Sequence, residues 1–189
     1  MPDMKQTPAA GSALRIAQHF ITAVEAKDLD AVAEALAPDA QQLFMHTKRT
    51  RYGDGAAAIV TGENRRAVCV AYLKGRHEVL AYTEGLMGKF DPLRWSDTEW
   101  SVSPDGSQVF FRGKGNMVVA RTGKPYRNHY VTIFDINDGR IVRMAEYADA
   151  FAYAGLRIRP NGAELRSFLR AAGRLLSFTR PPRPRVRPR

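Results

Sequence analysis

The chain has 189 residues, of which 44% are hydrophobic and 25% charged, a composition that fits one folded domain with an appendage and excludes a disordered chain. Its net charge of +10 is concentrated in residues 156–189, which contribute +9, so a nucleic-acid contact would have to rest on that segment alone. No apolar run reaches the ~18 residues of a membrane span, no signal-peptide pattern is present and Cys69 is the single cysteine, so we expect a cytoplasmic protein without transmembrane helix or disulfide framework.

Helical spacing of apolar residues predicts two helices near the N-terminus. The first is expected to begin at Ser12, a typical N-cap residue, after a disordered segment over residues 1–11. The second is short and is expected to end before Pro38, because proline cannot continue a helix. The stripe that the first helix would bury consists of Leu14, Ala17, Phe20, Ile21 and Val24.

A strand, a loop and a third helix are predicted next. Residues 41–46 indicate a short strand, and residues 47–60 indicate a loop. The third helix is expected to open at Thr61-Gly62. Its buried side would be marked by Ala67, Val68, Ala71, Tyr72 and Val79.

From about residue 89 the pattern changes to strands joined by short turns. Gly113 and Gly115 are expected to mark a bulge or bend in the second strand. Asn137-Asp138-Gly139 is the clearest turn signal and predicts a hairpin between the last two strands. Because helices come first and antiparallel strands follow, we expect an α+β fold with helices on one face of a curved antiparallel sheet. The predicted strands cover residues 95–102, 108–120, 126–136 and 140–149.

The hairpin contains four notable stretches: Tyr126-Arg127-Asn128-His129-Tyr130, Phe134, Asp138-Gly139-Arg140-Ile141 and Glu146-Tyr147-Ala148-Asp149. Together they resemble the closing hairpin of SnoaL-like proteins, which belong to the nuclear-transport-factor-2-like superfamily of cone folds, and they are most similar to the phenazine-biosynthesis A/B proteins. The resemblance implies a cystatin-like α+β barrel over residues 12–156, with a cone-shaped sheet wrapped by the N-terminal helices. It also implies a pocket for a small hydrophobic molecule and a homodimer.

In the phenazine proteins a glutamate, a tyrosine and a histidine form the acid/base site. The resemblance places the glutamate at Glu146 and the tyrosine at Tyr126, whereas the histidine falls on Cys69 and the family's closing asparagine on Asp149. A thiol cannot shuttle protons near neutral pH as an imidazole does. The resemblance implies a cofactor-independent acid/base enzyme of isomerase, cyclase, dehydratase or hydrolase type. Its substrate would be a small cyclic or polyketide-like metabolite of bacterial specialised metabolism.

Glu146 is a carboxylate in an otherwise apolar strand, and burial there would raise its pKa toward the range of a general acid or base. The alternative is an outward-facing Glu146, or one that forms a structural ion pair with Arg143 or Arg127. Asp149 could serve as a second acid or base, or cap the following turn. The expected catalytic residues are Glu146, Tyr126 and Asp149, and the expected substrate contacts are Asn128, Tyr130, His46, Cys69, Tyr72 and Trp95.

The sequence predicts no metal site and no cofactor. No two histidines stand at ligand spacing with a carboxylate. The segment from Gly113 to Asn116 lacks the length and the Lys-Ser/Thr ending of a phosphate-binding loop. A non-catalytic small-molecule-binding or scaffold domain is the alternative to an enzyme, because a fold does not fix a function.

The register of the hairpin decides which residues accompany Glu146, and the sequence leaves two registers open. With a three-residue loop, Glu146 lies opposite Tyr130 and shares a face with the even-numbered residues of the preceding strand. With the two-residue loop Asp138-Gly139 it faces Val131 and stays with odd-numbered residues such as His129. A slip of one residue exchanges the two sets. The resemblance favours the first register, because the family's tyrosine and glutamate act together.

Residues 157–189 form a basic C-terminal extension, in which a helix is expected over about 162–178, followed by a disordered Pro/Arg tail. The helix would cover an apolar patch of its own fold or of a dimer mate, or dock weakly on an anionic partner such as an acidic protein or membrane surface. Specific nucleic-acid recognition is not expected, because Phe178 is the only aromatic residue near the tail.

Overall fold

The computed structural model describes residues 8–44, 72–149, 152 and 155–156. The predicted loop over residues 47–60, the start of the third helix at Thr61 and the extension over residues 157–189 lie outside this part of the chain. Two expected substrate contacts, His46 and Cys69, also lie outside it.

The described residues form helices and one six-stranded sheet. The strand order is β2-β1-β6-β5-β4-β3, with β1 and β6 parallel and all other neighbours antiparallel, so the sheet is mixed and not closed. The helices are α1 (Pro8–Ala26), α2 (Leu29–Ala35) and α3 (Arg76–Lys89), and the strands are β1 (Leu36–Phe44), β2 (Tyr72–Lys74), β3 (Trp95–Val102), β4 (Gln108–Val119), β5 (Lys124–Asn137) and β6 (Arg140–Ala148).

The core lies between the helices and the inner face of this sheet. Helix α1 buries Ala17, Phe20 and Val24, three members of its predicted apolar stripe. The ring of Phe20 meets the ring of Phe134 on β5 edge-on, with 5.8 Å between centroids. The fold confirms the predicted α+β cone, with helices on one face of the sheet. The sheet is mixed and not purely antiparallel as expected, because β1 runs parallel to β6. Within the described segments no helix is long and apolar enough to span a membrane.

The predicted start of the first helix is wrong, whereas the second helix ends before Pro38 as predicted. Helix α1 begins at Pro8, before the expected cap at Ser12, so it includes the end of the segment that was expected to be disordered. Helix α2 ends at Ala35, and Pro38 lies inside β1. The register between β1 and β6 shifts between Leu36 and Gln41, and in such an irregular stretch the missing amide hydrogen of a proline breaks no ladder hydrogen bond.

Tyr72 does not continue a helix as the sequence predicts. It lies in β2, where it pairs with Leu43 of β1, and α3 begins only after Gly75, whose φ of 85° favours glycine. Helix α3 buries Val79, Thr83 and Met87. One of these three is polar, which explains why the apolar spacing does not reveal this helix as a separate element.

The bulge expected at Gly113 and Gly115 lies in the neighbouring strand β3, opposite Gly113, and not in β4 itself. The ladder between β4 and β5 runs through both glycines without a break, and the irregular residues lie in β3, between Ser96 and Glu99. A Cβ atom on Gly115 would come within 2.6 Å of the Tyr130 ring, and one on Gly113 would come equally close to the ring of Phe111. The glycines therefore make room for aromatic rings on the inner face.

The hairpin between β5 and β6 combines features of both predicted registers. Its loop is the two-residue Asp138-Gly139 turn, since Asn137 pairs with Arg140. The pairing then shifts by one residue at Val142, which has no partner in β5. As a result Glu146 lies opposite Thr132 and shares the inner face with the even-numbered residues of β5.

We predict that Gly115→Ala lowers the free energy of unfolding by about 1–3 kcal/mol, because the new methyl group displaces the packed ring of Tyr130. Gly88→Ala in α3 is the matched control, since a Cβ atom there meets nothing within 4 Å. We expect the control to leave the free energy unchanged or to raise it by up to about 1 kcal/mol. Urea denaturation measures both, and equal stabilities of the two variants would contradict this role of Gly115.

Candidate active site

A cavity lies between α1, α3 and the inner face of the sheet. Its volume is about 40 Å³, which is room for about three water molecules or for one small organic molecule. Six aromatic side chains border it: Phe20, Tyr82, Trp95, Phe111, Tyr130 and Phe134.

Glu146 is the only acidic side chain among the described residues that border this cavity, and none of those residues is basic. Burial raises the pKa of Glu146 to about 7. The ion pairs considered from the sequence do not form, because Arg143 binds Asp135 and Arg127 donates to the backbone oxygens of Met117 and Tyr126. Within the described part of the chain Glu146 has no hydrogen bond to protein groups. Its carboxyl group is thus set up to accept or donate a proton near neutral pH.

Tyr130 and Trp95 border the same cavity as Glu146. Their rings pack edge-on with 6.1 Å between centroids, and the Tyr130 hydroxyl donates to the hydroxyl of Tyr126 at 3.3 Å. Burial raises the pKa of Tyr130 well above its usual value, and the nearby Tyr126 and Glu146 act in the same direction. Tyr130 therefore remains a protonated hydrogen-bond donor and is unsuited to act as a base near neutral pH.

Tyr126, Asn128 and Asp149 form a second cluster that does not border the cavity. The Asn128 amide donates to the Tyr126 hydroxyl at 2.7 Å and to the backbone oxygen of Asp149 at 3.0 Å, and it accepts from the Asp149 backbone N–H at 3.0 Å. The Asp149 carboxylate accepts from the backbone N–H of Ala152. These contacts tie the end of β6 to β5, and the hydrogen bond to Tyr130 connects them to the cavity wall.

The structure thus brings three of the expected site residues, Glu146, Tyr130 and Trp95, together around the cavity. Tyr126, Asn128 and Asp149 stand next to it as a connected group. Tyr72 is placed in β2 by its backbone. The described residues contain no group of three or more His, Cys, Asp or Glu side chains that could hold a metal ion.

Among the polar residues that border the cavity, Gln42, Thr132 and Thr83 were not singled out from the sequence as site residues. Gln42 on β1 and Thr132 on β5 are each only 7% exposed. Thr132 lies directly opposite Glu146, so the correct hairpin register would have indicated it. Gln42 is a polar residue in a strand that follows two helices, and only its pairing with Met144 of β6 shows that it belongs to this site.

Comparisons with known proteins place the fold among related structures. A family model described as a SnoaL-like domain matches residues 17–144. None of the curated proteins compared with the chain matches it. A phenazine biosynthesis-related protein from Pseudomonas aeruginosa is 14% identical, with a TM-score of 0.63 over 85% of this chain and 90% of that one.

Two further solved structures have similar folds. A protein from Jannaschia sp. CCS1, provisionally assigned as a SnoaL-like polyketide cyclase, is 15% identical, with a TM-score of 0.64 over 84% of this chain and 100% of that one. A limonene-epoxide-hydrolase-like (LEH-like) epoxide hydrolase from M. tuberculosis is 14% identical, with a TM-score of 0.54 over 91% of this chain and 100% of that one. At these identities the similarity establishes the fold alone.

We predict that Glu146 makes the stability of the protein depend on pH. Its pKa rises from 4.5 in the unfolded chain to about 7 in the fold, so the stabilisation by its proton is complete below pH 4.5 and is lost as the pH rises through about 7. A rise of this size corresponds to a loss of about 3 kcal/mol. Glu146→Gln, which resembles the protonated form, should match the wild type near pH 4 and be more stable than it above about pH 8.

Urea denaturation at the two pH values measures this difference. Glu84→Gln, which changes an exposed glutamate of α3, is the matched control and should follow the wild type at both. A Glu146→Gln variant whose stability differs from the wild type by the same amount at both pH values would contradict the raised pKa.

Proposed function

The chain belongs to the SnoaL-like domain family, and from this membership and the cavity we propose that it is a cofactor-independent acid/base enzyme acting on a small hydrophobic, cyclic or polyketide-like molecule. The observation that carries the proposal is one enclosed carboxyl group, with a pKa of about 7, in a cavity bordered by aromatic rings. The provisional polyketide cyclase and the epoxide hydrolase among the similar structures are consistent with such a role.

Glu146 is the proton carrier in this proposal. Near neutral pH its carboxyl group is present in both protonation states, so it can take a proton from the substrate in one step and return it in the next. The aromatic walls limit the contact of the Glu146 carboxyl group with bulk water, which favours transfer of the proton within the cavity. The hydrogen bond from Tyr130 to Tyr126 holds one of these walls in place.

The composition of the cavity favours movement of a proton between carbon atoms. Activation of water with simultaneous protonation of a leaving group is helped by a second acid or a cation, and the described lining contributes neither beside Glu146. One carboxyl group with uncharged polar neighbours is sufficient for an isomerisation or a cyclisation through an enolate. We therefore place isomerase or cyclase chemistry ahead of dehydration and hydrolysis.

A second candidate is a non-catalytic binding domain for the same class of molecule. It is favoured by the separation of Tyr126, Asn128 and Asp149 from the cavity, since their mutual contacts serve to tie two strands together. A binding domain would still bind its ligand in the Glu146→Gln variant. Its wild type would catalyse no proton exchange.

We further propose that the protein is a cytoplasmic homodimer whose basic extension contacts an anionic partner weakly. Support for a second copy comes from Val131 and Tyr147, which pair across β5 and β6 and are 40% and 42% exposed. Apolar side chains that adjoin on a sheet surface are typical of contact sites.

We predict that the wild type catalyses exchange of the α-protons of cyclopentanone for deuterium in D₂O, because this ketone is small and uncharged and suits the small, largely aromatic cavity. The rate should rise with pH to a midpoint near 7, as Glu146 ionises. Glu146→Gln should slow the catalysed exchange by at least about 100-fold, because an amide cannot accept the proton. Proton NMR of the ketone signal measures the rate.

Glu84→Gln is the control for this assay and should exchange at the wild-type rate. Catalysed exchange that persists in Glu146→Gln, or a wild type without catalysed exchange of this ketone, would count against the proposed enzyme and leave the binding domain as the better account.

A further inference from the structure

Besides the indole N–H of Trp95, two polar side chains in the cavity wall have no hydrogen-bond partner within the described part of the chain. They are the amide of Gln42 and the hydroxyl of Thr132, and both residues are more than nine-tenths buried. Thr83 borders the same cavity, but its hydroxyl donates to the backbone oxygen of Val79 at 2.8 Å. A buried polar group without a partner destabilises a protein, so such groups are expected to meet a ligand or water.

The sheet places both groups around Glu146. Thr132 lies directly opposite Glu146 across the antiparallel β5–β6 pair. On the other side of β6, Phe44 of β1 is the neighbour of Glu146, and Gln42 is the neighbour of Met144. Gln42 therefore stands diagonally from Glu146 on the same face. Side chains at opposite and diagonal positions of neighbouring strands are close enough to contact one small ligand together.

We propose that Gln42 and Thr132 bind the oxygen atom of the substrate, and that this substrate is a small, uncharged cyclic ketone. The inference deepens the proposed function and rests on it, because the carbonyl group is the part of such a substrate that makes its neighbouring C–H bond acidic. Gln42 contributes an N–H donor and Thr132 an O–H donor, the two kinds of group that a carbonyl oxygen accepts.

The chemical step accounts for both donors. Glu146 takes a proton from the carbon beside the carbonyl group, the electron pair of that C–H bond becomes a C=C bond, and the π electrons of the C=O bond move to the oxygen. The negative charge that develops there is stabilised by the hydrogen bonds from Gln42 and Thr132. Return of the proton from Glu146 to carbon restores the carbonyl group and the carboxylate.

The charge of the cavity lining disfavours an anionic substrate. None of the described residues bordering the cavity is a cation, and an anion bound there would lie beside the carboxyl group of Glu146. An amine is the competing ligand, since its N–H donors could bind Glu146 and the oxygen atoms of Gln42 and Thr132. Binding of an amine is therefore measured separately in the test.

The test measures binding, so it does not depend on turnover. Cyclopentanone, methylenecyclopentane and cyclopentylamine have similar shapes but carry a carbonyl oxygen, a CH₂ group and an amine. Their dissociation constants are obtained by NMR titration of the indole N–H signals, because Trp95 borders the cavity. We expect the wild type to prefer the ketone over the methylene compound by a few-fold to about tenfold, the usual contribution of one or two hydrogen bonds.

Variants distinguish the effect of the two polar groups on binding from the effect of the shape of the cavity. Thr132→Val and Gln42→Met retain the size of the side chain and should each reduce the preference for the ketone toward unity. Thr132→Ser restores a hydroxyl and should restore the preference. Thr83→Val, whose hydroxyl is already engaged by Val79, should retain it. Thermal denaturation establishes that each variant is folded before it is titrated.

Three results would overturn this inference: an undiminished ketone preference in Thr132→Val and Gln42→Met, tightest binding of the amine, or no binding of the ketone by the wild type. Failure of the proposed enzyme is distinguished from these, since it appears in the exchange assay with Glu146→Gln. A ketone preference that depends on Gln42 and Thr132 would still establish the binding groups if exchange does not depend on Glu146.

Discussion

The position of Glu146 depends on one unpaired residue, Val142 in β6. The hairpin loop has two residues, Asp138 and Gly139, both with the positive φ that such turns require. With that loop and an uninterrupted ladder, Glu146 would face Val131 on the outer surface of the sheet. The extra residue moves Glu146 to the inner face, opposite Thr132. The enclosed carboxyl group and its polar neighbours follow from this local irregularity.

The burial of the Glu146 carboxylate lowers the stability of the folded protein when the group is ionised. An ionised carboxylate surrounded by aromatic rings loses its hydration, and no cation in the described lining compensates it. Proteins retain such groups mainly at functional sites, where a shifted pKa is useful. The surrounding structure is well packed: Phe134 and Ile141 are fully buried, and Asn128 ties β5 to the end of β6. The fold thus holds an unfavourable carboxyl group in a fixed place.

Much of this arrangement can be predicted from the sequence, and the remainder depends on packing between distant segments. The apolar stripe of α1, the order of helices and strands, and the apolar surroundings of Glu146 are local patterns. The sequence indicates the bulge only weakly. Ile141 and Met144 are both apolar and both buried, although a regular strand places residues that are three apart on opposite faces. Gln42 could not be assigned because its strand pairs with β6, a hundred residues further along the chain.

The central claim is that Glu146 exchanges a proton near neutral pH, and carbon NMR of selectively labelled glutamate carboxyl groups tests it most directly. We expect one carboxyl signal with a midpoint near 7 that disappears in Glu146→Gln. A spectrum in which the signal lost in Glu146→Gln titrates near 4.5 would contradict the account.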